Sequence, residues 1–380
     1  MLPPGRLLGI GISINDPPNA TSLAKAIGAN AIRLDAPWKQ IELSAGKYII
    51  PDWLERTVTS MVNAGVTPLL ILAYGNPLYD AGDKPTSREG IEAFARYAAF
   101  VVQHFKGRVF YYDLWNEWDA HTGRTTPLGA DEYLNLAKIV FPAIKAVDRK
   151  IQLLSGGISD KGIREGFFER FFQLGGHRYV DGLSLHPYVW NSRKRRTPEG
   201  AMDFVDQVAT LASKANAGTS LPIYLTEIGW PTYTGKDGVS EEEASWYLTR
   251  YFLLAASRGY VRGIFWYCLM DQGTDPSNKE HRFGVLDRKQ ETRLAAKELK
   301  KITGVLTGDV RVTIQQTTQQ TIAEVARAGV PEGRYIWEEK PVAKDFSDTL
   351  KSSLWDEKPA AADRRAPLWQ PAVMGTKGQQ

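Results

Sequence analysis

The chain has 380 residues, 43% of them hydrophobic and 24% charged, long enough for one barrel of roughly 250–300 residues with a modest addition. A formal net charge of +4 is too small to point to nucleic acid, and a lone cysteine, Cys268, excludes an internal disulfide and a thiolate metal cluster. No apolar run approaches the roughly 20 residues that span a bilayer, and the opening residues lack the basic and apolar regions of a signal peptide.

Short apolar, β-prone runs recur at 8–13, 31–35, 67–73, 110–115, 151–155, 182–186, 222–227 and 262–268. Most are near-continuous, as strands buried on both faces of a parallel sheet should be. Between them, apolar residues fall three and four apart at 90–105, 131–147 and 241–256, which predicts helices. Ser240 before Glu241-Glu242-Glu243 has the form of a capping box with acidic residues in the first turn. Alternating strands and helices imply right-handed βα units. Eight such units predict an α/β fold, a (β/α)8 TIM barrel over 1–304 that ends with a helix at 291–303. Six strands would suit an open doubly wound sheet, but the Gly-rich dinucleotide fingerprint is missing after the first run. A short C-terminal extension follows. Residues 305–340 form a small accessory segment, β-prone at 305–318 and with a short helix expected at 321–328. Residues 341–380 are charged and Pro/Ala-rich and read as a flexible tail.

In a barrel of this kind, chemistry gathers at the C-terminal ends of the strands. The fourth run ends Trp115-Asn116-Glu117-Trp118, the sixth His186-Pro187-Tyr188 and the seventh Thr226-Glu227-Ile228-Gly229-Trp230. The eighth carries Trp266 and Tyr267, and the second ends Arg33-Leu34-Asp35. Two glutamates at one barrel mouth suit glycosidic bond cleavage, in which one carboxyl protonates the leaving oxygen while the other attacks the sugar or activates water. Asn116 can grip a sugar hydroxyl, Tyr188 can orient a carboxylate, and Arg33 can keep a glutamate ionised. The flat faces of Trp266, Trp230 and Trp38 can stack on sugar rings, with Asn76 and His186 as polar contacts and the third strand end, 74–77, lining the mouth. No spacing typical of metal ligands such as HExxH is found, so neither metal nor organic cofactor is expected.

These motifs, in this order and on these strands, resemble the clan A glycoside hydrolases. The chain is most similar to family 39 and its endoglycosidase-like relatives, with family 5 next. Glu227-Ile-Gly-Trp-Pro is also similar to a segment of the family 17 glucanases. The likeness covers about 8–303. It implies retaining hydrolysis of β-glycosidic bonds in a poly- or oligosaccharide; action within the chain is expected, with action at its ends as the alternative. It assigns Glu117 as acid/base, Glu227 as nucleophile, Asn116 to the 2-hydroxyl, Tyr188 to the nucleophile's orientation, Trp266 as stacking platform and Arg33 as partner of the nucleophile. A transglycosylase would use the same residues; a non-catalytic carbohydrate-binding barrel would have lost a carboxylate. An aldolase or isomerase would need a Schiff-base lysine or a metal cluster at the strand ends. The basic run Arg193-Lys194-Arg195-Arg196 follows the sixth strand and suggests an anionic polysaccharide as one kind of partner. A monomer is expected, without nucleic acid or membrane partners. A polymer-degrading enzyme is expected outside the cytoplasm, secreted or periplasmic, although no signal peptide is read in this chain.

Overall fold

A computed structural model describes residues 5–122, 125–192, 196–318 and 320–338. Eight strands alternate with eight main helices. The first half holds β1 (Leu7–Gly11), α1 (Ala20–Ala26), β2 (Ala31–Pro37), α2 (Asp52–Asn63), β3 (Thr67–Ala73), α3 (Arg88–His104), β4 (Tyr111–Leu114) and α4 (Ala130–Val147). The second holds β5 (Gln152–Leu154), α5 (Phe167–Gln173), β6 (Leu183–His186), α6 (Pro198–Ala215), β7 (Ile223–Ile228), α7 (Glu241–Ala256), β8 (Val261–Trp266) and α8 (Leu294–Leu306). Helical turns at Trp38–Ile41 and Asp160–Arg164 and a hairpin of Glu42–Ser44 with Lys47–Tyr48 decorate the loops.

All barrel strands pair in parallel, in the order β5-β4-β3-β2-β1-β8-β7-β6. The chain of β5 breaks at Gly156-Gly157 and resumes as Ile158–Ser159, which pairs with β6. A bridge between Leu154 and Gly182 closes the ring. The architecture is therefore a (β/α)8 barrel. Its strands are apolar because both faces are covered: every residue of β1 is buried. The period of two sends Leu7, Ala31, Leu69, Tyr111, Leu154, Tyr224 and Phe265 into one interior cluster, a layer that plugs the barrel. Two residues further along, the same faces turn polar and present Arg33, Asp113 and Thr226, all buried. Such groups persist in an interior only when paired, and they are the floor of the site.

The helices bury their apolar stripes on the outside of this ring. On α7 the buried set includes Leu248, Tyr251, Phe252 and Ala255, at helical spacing, and each large side chain contributes about 1.5–3 kcal/mol on burial. Its start carries the capping box between Ser240 and Glu243, with both reciprocal hydrogen bonds present.

After α8 come three antiparallel strands, β9 (Val310–Gln316), β10 (Gln320–Arg327) and β11 (Val330–Glu338), with β10 in the middle. The short helix expected at 321–328 is instead the central strand. Ala323 and Val325 are buried on either side of the exposed Glu324, so alternation and two pairing partners outweigh local helix propensity. Trp337 donates from Nε1 to Glu199 Oε1 of α6 at 3.0 Å, and the Arg250 guanidinium of α7 lies 5.5 Å from its ring centroid. The expected tail, 341–380, lies outside the described residues, as do Arg193, Lys194 and Arg195. Arg196 is described, and it donates from Nη2 to the Asp237 and Gly238 carbonyls at 2.9 and 2.6 Å, which commits it to the loop after β7. Among the described residues, no helix is long and apolar enough to cross a membrane.

Candidate active site

Glu227 stands at the end of β7, where the pairing with β8 shifts register between Leu225 and Ile228. Thr226 stays inside the barrel, fully buried, and the Glu227 carboxylate reaches the mouth. Arg33 Nη1 donates to Glu227 Oε1, and the Tyr188 hydroxyl donates to Oε2 at 3.2 Å. Arg33 is 3% exposed. Its Nη2 donates to Asn116 Oδ1 at 2.6 Å, and its Nε lies 3.6 Å from Asp113 Oδ2. Asn116 donates in turn to the Tyr74 hydroxyl at 3.1 Å. One guanidinium thus ties the ends of β2, β4 and β7 together, a use of its forked donors that lysine could not match.

Glu117 follows β4 in a tight turn. Trp115 and Glu117 have φ of 77° and 51°, a left-handed conformation that costs about 1–3 kcal/mol per residue and survives only where the surroundings impose it. The Glu117 amide donates to the Gly156 and Gly157 carbonyls, each at 3.2 Å. Its Oε1 lies 2.9 Å from His186 Nδ1, and His186 Nε2 lies 3.1 Å from Thr226 Oγ1. Gly157 has φ of +45°, and a Cβ there would fall 2.3 Å from His186 Nε2. The strand break after β5 thus makes room for the imidazole. Below it, the Ser184 hydroxyl donates to Asp113 Oδ2 at 2.9 Å and lies 2.5 Å from Thr226 Oγ1. One oxygen each of Glu117 and Glu227 and one ring nitrogen of His186 lie within 4.8 Å of one another.

The two glutamates differ in environment. Burial pushes Glu117 above the usual carboxylate range; the His186 hydrogen bond opposes this, and repulsion from Glu227 adds to it. Burial also acts on Glu227, but the His186 ring, Arg33 and the Tyr188 hydroxyl more than offset it and hold Glu227 below its ordinary value. Burial likewise works against charge on Arg33, yet Glu227, Asp113 and Asp35 hold its pKa above the ordinary arginine value. A pair of carboxyls split in this way can present one proton and one negative charge at the same pH. The three donors of Glu117, His186 and Glu227 have the chemistry to meet a cation. Arg33 and the Tyr188 hydroxyl, however, already occupy both Glu227 oxygens, and a guanidinium beside the donor set repels a metal ion.

Arg33, Asn116, Glu117, His186, Tyr188 and Glu227 meet at the mouth. Four other residues expected there do not. Trp266 is 2% exposed and stacks on Trp230 with ring centroids 5.8 Å apart, facing the helices rather than the cavity. Trp230 itself is 1% exposed and donates to the Arg196 carbonyl at 2.7 Å. Trp38 is fully buried, stacked 5.2 Å from Tyr79 and bonded to Glu42 at 2.6 Å. Asn76, 1% exposed, donates to the Glu42 carbonyl at 2.9 Å and braces the hairpin. Tyr267 replaces Trp266 at the mouth: it is partly exposed and packs 5.4 Å from Phe283. The signal was parity, because with Phe265 inside the barrel the next inward position on β8 is 267. Asp35 was also passed over as a site residue. It shares the inward face of β2 with Ala31 and Arg33, is partly exposed, and burial followed by Glu227 repulsion raises it to about 6 against the pull of Arg33.

No family model matches the sequence, and no curated protein does. Solved structures do. A family 39 glycoside hydrolase from the gut symbiont Bacteroides cellulosilyticus WH2 is 25% identical, with a TM-score of 0.75 over 88% of this chain and 71% of that one. A family 5, subfamily 18 glycoside hydrolase from Streptomyces cattleya, solved in complex with GlcNAc, is 14% identical, with a TM-score of 0.59 over 77% and 75%. Native xylanase 10B from Thermotoga maritima is 16% identical, with a TM-score of 0.59 over 79% and 95%. In fold and in the order of its strand-end motifs, the chain resembles the clan A glycoside hydrolases.

Proposed function

We propose that the protein is a retaining glycoside hydrolase that cleaves β-linked poly- or oligosaccharides by double displacement, with Glu117 as acid/base and Glu227 as nucleophile. The observation that carries this reading is the approach of the two carboxylates within 4.8 Å together with their opposite displacement in acidity. Retaining enzymes place the pair about 5–5.5 Å apart, whereas an inverting enzyme needs about 6.5–9.5 Å to admit water. In the first step Glu117 protonates the departing oxygen while Glu227 Oε2 or Oε1 bonds to the anomeric carbon. Glu117, having given up its proton, stays ionised because the neutral ester no longer repels it; it takes a proton from a water whose oxygen bonds to the anomeric carbon as the ester bond breaks and frees Glu227. Asn116, held between Arg33 and Tyr74, is placed to bind a sugar hydroxyl, and Tyr267 with Phe283 offers an aromatic wall.

A screen of β-linked polysaccharides, with the anomer of the first product read by NMR, tests the proposal. Retained configuration supports it and inversion refutes it. Release of oligosaccharides rather than single sugars identifies cleavage within the chain, and transfer to an added sugar acceptor identifies a transglycosylase. Glu227→Ala is expected to lose turnover by about 10⁴-fold or more, partly restored by azide as a glycosyl azide of inverted configuration. Retained turnover in that variant would remove Glu227 from the reaction.

A further inference from the structure

Lys84 lies between β3 and α3 and is 1% exposed, an unusual place for an ammonium. Its Nζ donates to the Ala120 carbonyl at 2.9 Å, to Thr125 Oγ1 at 2.6 Å and to the Thr126 carbonyl at 2.6 Å. An ammonium has three protons to donate, and three acceptors on the loop after Glu117 take them. The same Nζ lies 5.9 and 5.8 Å from the ring centroids of Trp115 and Trp118, the residues that flank Asn116-Glu117. Asp83 works on the same loop: its Oδ1 accepts from the Thr126 amide at 2.7 Å and its Oδ2 from the Thr126 hydroxyl. Burial lowers the Lys84 pKa to about 8, against the pull of Asp83, Asp119 and Glu117, so the charge is kept at a cost in solvation.

The loop requires such a hold. Glu117 sits in a left-handed conformation with no glycine to relax it, and strained backbone of this kind persists only when its surroundings over-determine it. Thr122 ties one side, its hydroxyl donating to the Asn116 carbonyl at 2.8 Å. Asp119 ties another, accepting from the Ser159 and Gly162 amides at 3.1 and 3.0 Å. Among the described residues Lys84 is the cation in this set, and its acceptors come from Ala120 before Thr122 and from Thr125 and Thr126 after it.

We propose that Lys84 is a positioning residue, whose ammonium grips the loop after Glu117 and so holds the turn that aims the Glu117 carboxyl at the departing oxygen. The inference rests on the acid role proposed above for Glu117. It predicts a loss confined to reactions that need a proton. The test compares wild type with Lys84→Met on the 2,4-dinitrophenyl and methyl β-glycosides of a sugar the wild type accepts. The first leaving group departs unprotonated and the second does not. The expected kcat/KM falls at least about 30-fold on the methyl glycoside and less than about 3-fold on the dinitrophenyl glycoside. Equal losses on both, or no loss on either, overturn the positioning role while leaving Glu117 and Glu227 in place. Thr125→Ala removes one acceptor and keeps the charge, which guards against a Lys84→Met chain that fails to fold. Its loss, about 3–10-fold, is again expected on the methyl glycoside alone, and an equal loss on both substrates overturns the proposal. A wild type that cleaves no β-linked polysaccharide, oligosaccharide or activated glycoside overturns the proposed function, and this inference with it.

Discussion

At the scale of single residues, the site is a set of charges that share one guanidinium. Under the proposed mechanism Glu227 must be ionised to attack and Glu117 protonated to assist, which predicts that activity falls on the acid side as Glu227 gains a proton and on the alkaline side as Glu117 loses one. With Glu227 held below its usual range and Glu117 above it, the active window is widened at both ends. In pH–kcat/KM profiles of the wild type, the alkaline limb should appear with a methyl glycoside, which needs a proton, and be absent with a dinitrophenyl glycoside, while the acid limb is shared by both; an alkaline limb common to both substrates would assign it to another group. Asp35 gives a stability prediction with a definite sign. Its folded value of about 6 exceeds the ordinary 3.8, so the folded chain binds that proton more tightly, and stability is lost as pH rises from 3.8 toward 6. At pH 7 Asp35→Asn should therefore raise stability, by up to about 3 kcal/mol, and should raise KM if the carboxylate meets sugar hydroxyls. A lower melting temperature in that variant would show that the charge is compensated.

At the scale of elements, the strand break in β5 decides where His186 can stand. Gly157→Ala puts a methyl group into the imidazole and a side chain at a positive φ. A stability loss of about 1–3 kcal/mol is expected, with kcat reduced more than KM is raised because His186 contacts Glu117 rather than a distant subsite. Denaturant melts and steady-state kinetics check both, and a stable, fully active variant would show that the ring has room to shift. The eight strands were legible in the sequence because each is covered on both faces and so reads as an apolar run. The strand-end carboxylates were legible because they fall with Asn116, Tyr188 and Arg33 at the ends of strands of one barrel, a joint pattern that packing alone does not produce. What hid was direction. Trp266 and Tyr267 are adjacent and both aromatic, and only the inward placement of Phe265 decides which one sees the cavity. Trp38 and Trp230 read as sugar platforms by composition, yet their faces are spent on Tyr79 and Trp266. The strand at Gln320–Arg327 was hidden for a related reason: its partners β9 and β11 lie on either side in sequence, and pairing, not local propensity, makes it extended.

At the scale of the whole molecule, the barrel is a ring with one thin place. β1 through β4 and β6 through β8 are each one continuous strand, but the fifth position is served by two short pieces, Gln152–Leu154 toward β4 and Ile158–Ser159 toward β6. Between them the ring is joined by the Leu154–Gly182 bridge and by single links such as the Asp181 amide to the Leu153 carbonyl at 2.8 Å and the Ser155 amide to the Gly182 carbonyl at 3.2 Å. Local opening follows the weakest set of contacts rather than the average. Amide hydrogens at 153–158 and 182–186 should therefore exchange with solvent faster than those of β1, β2 and β3. The same joint carries the carbonyls that receive the Glu117 amide and the imidazole between the two glutamates. Warming should then silence the enzyme while most of the ring is still closed, with activity returning on cooling. The temperature at which the protein stops working would be set by a hinge of a few residues and would lie below the temperature at which it melts.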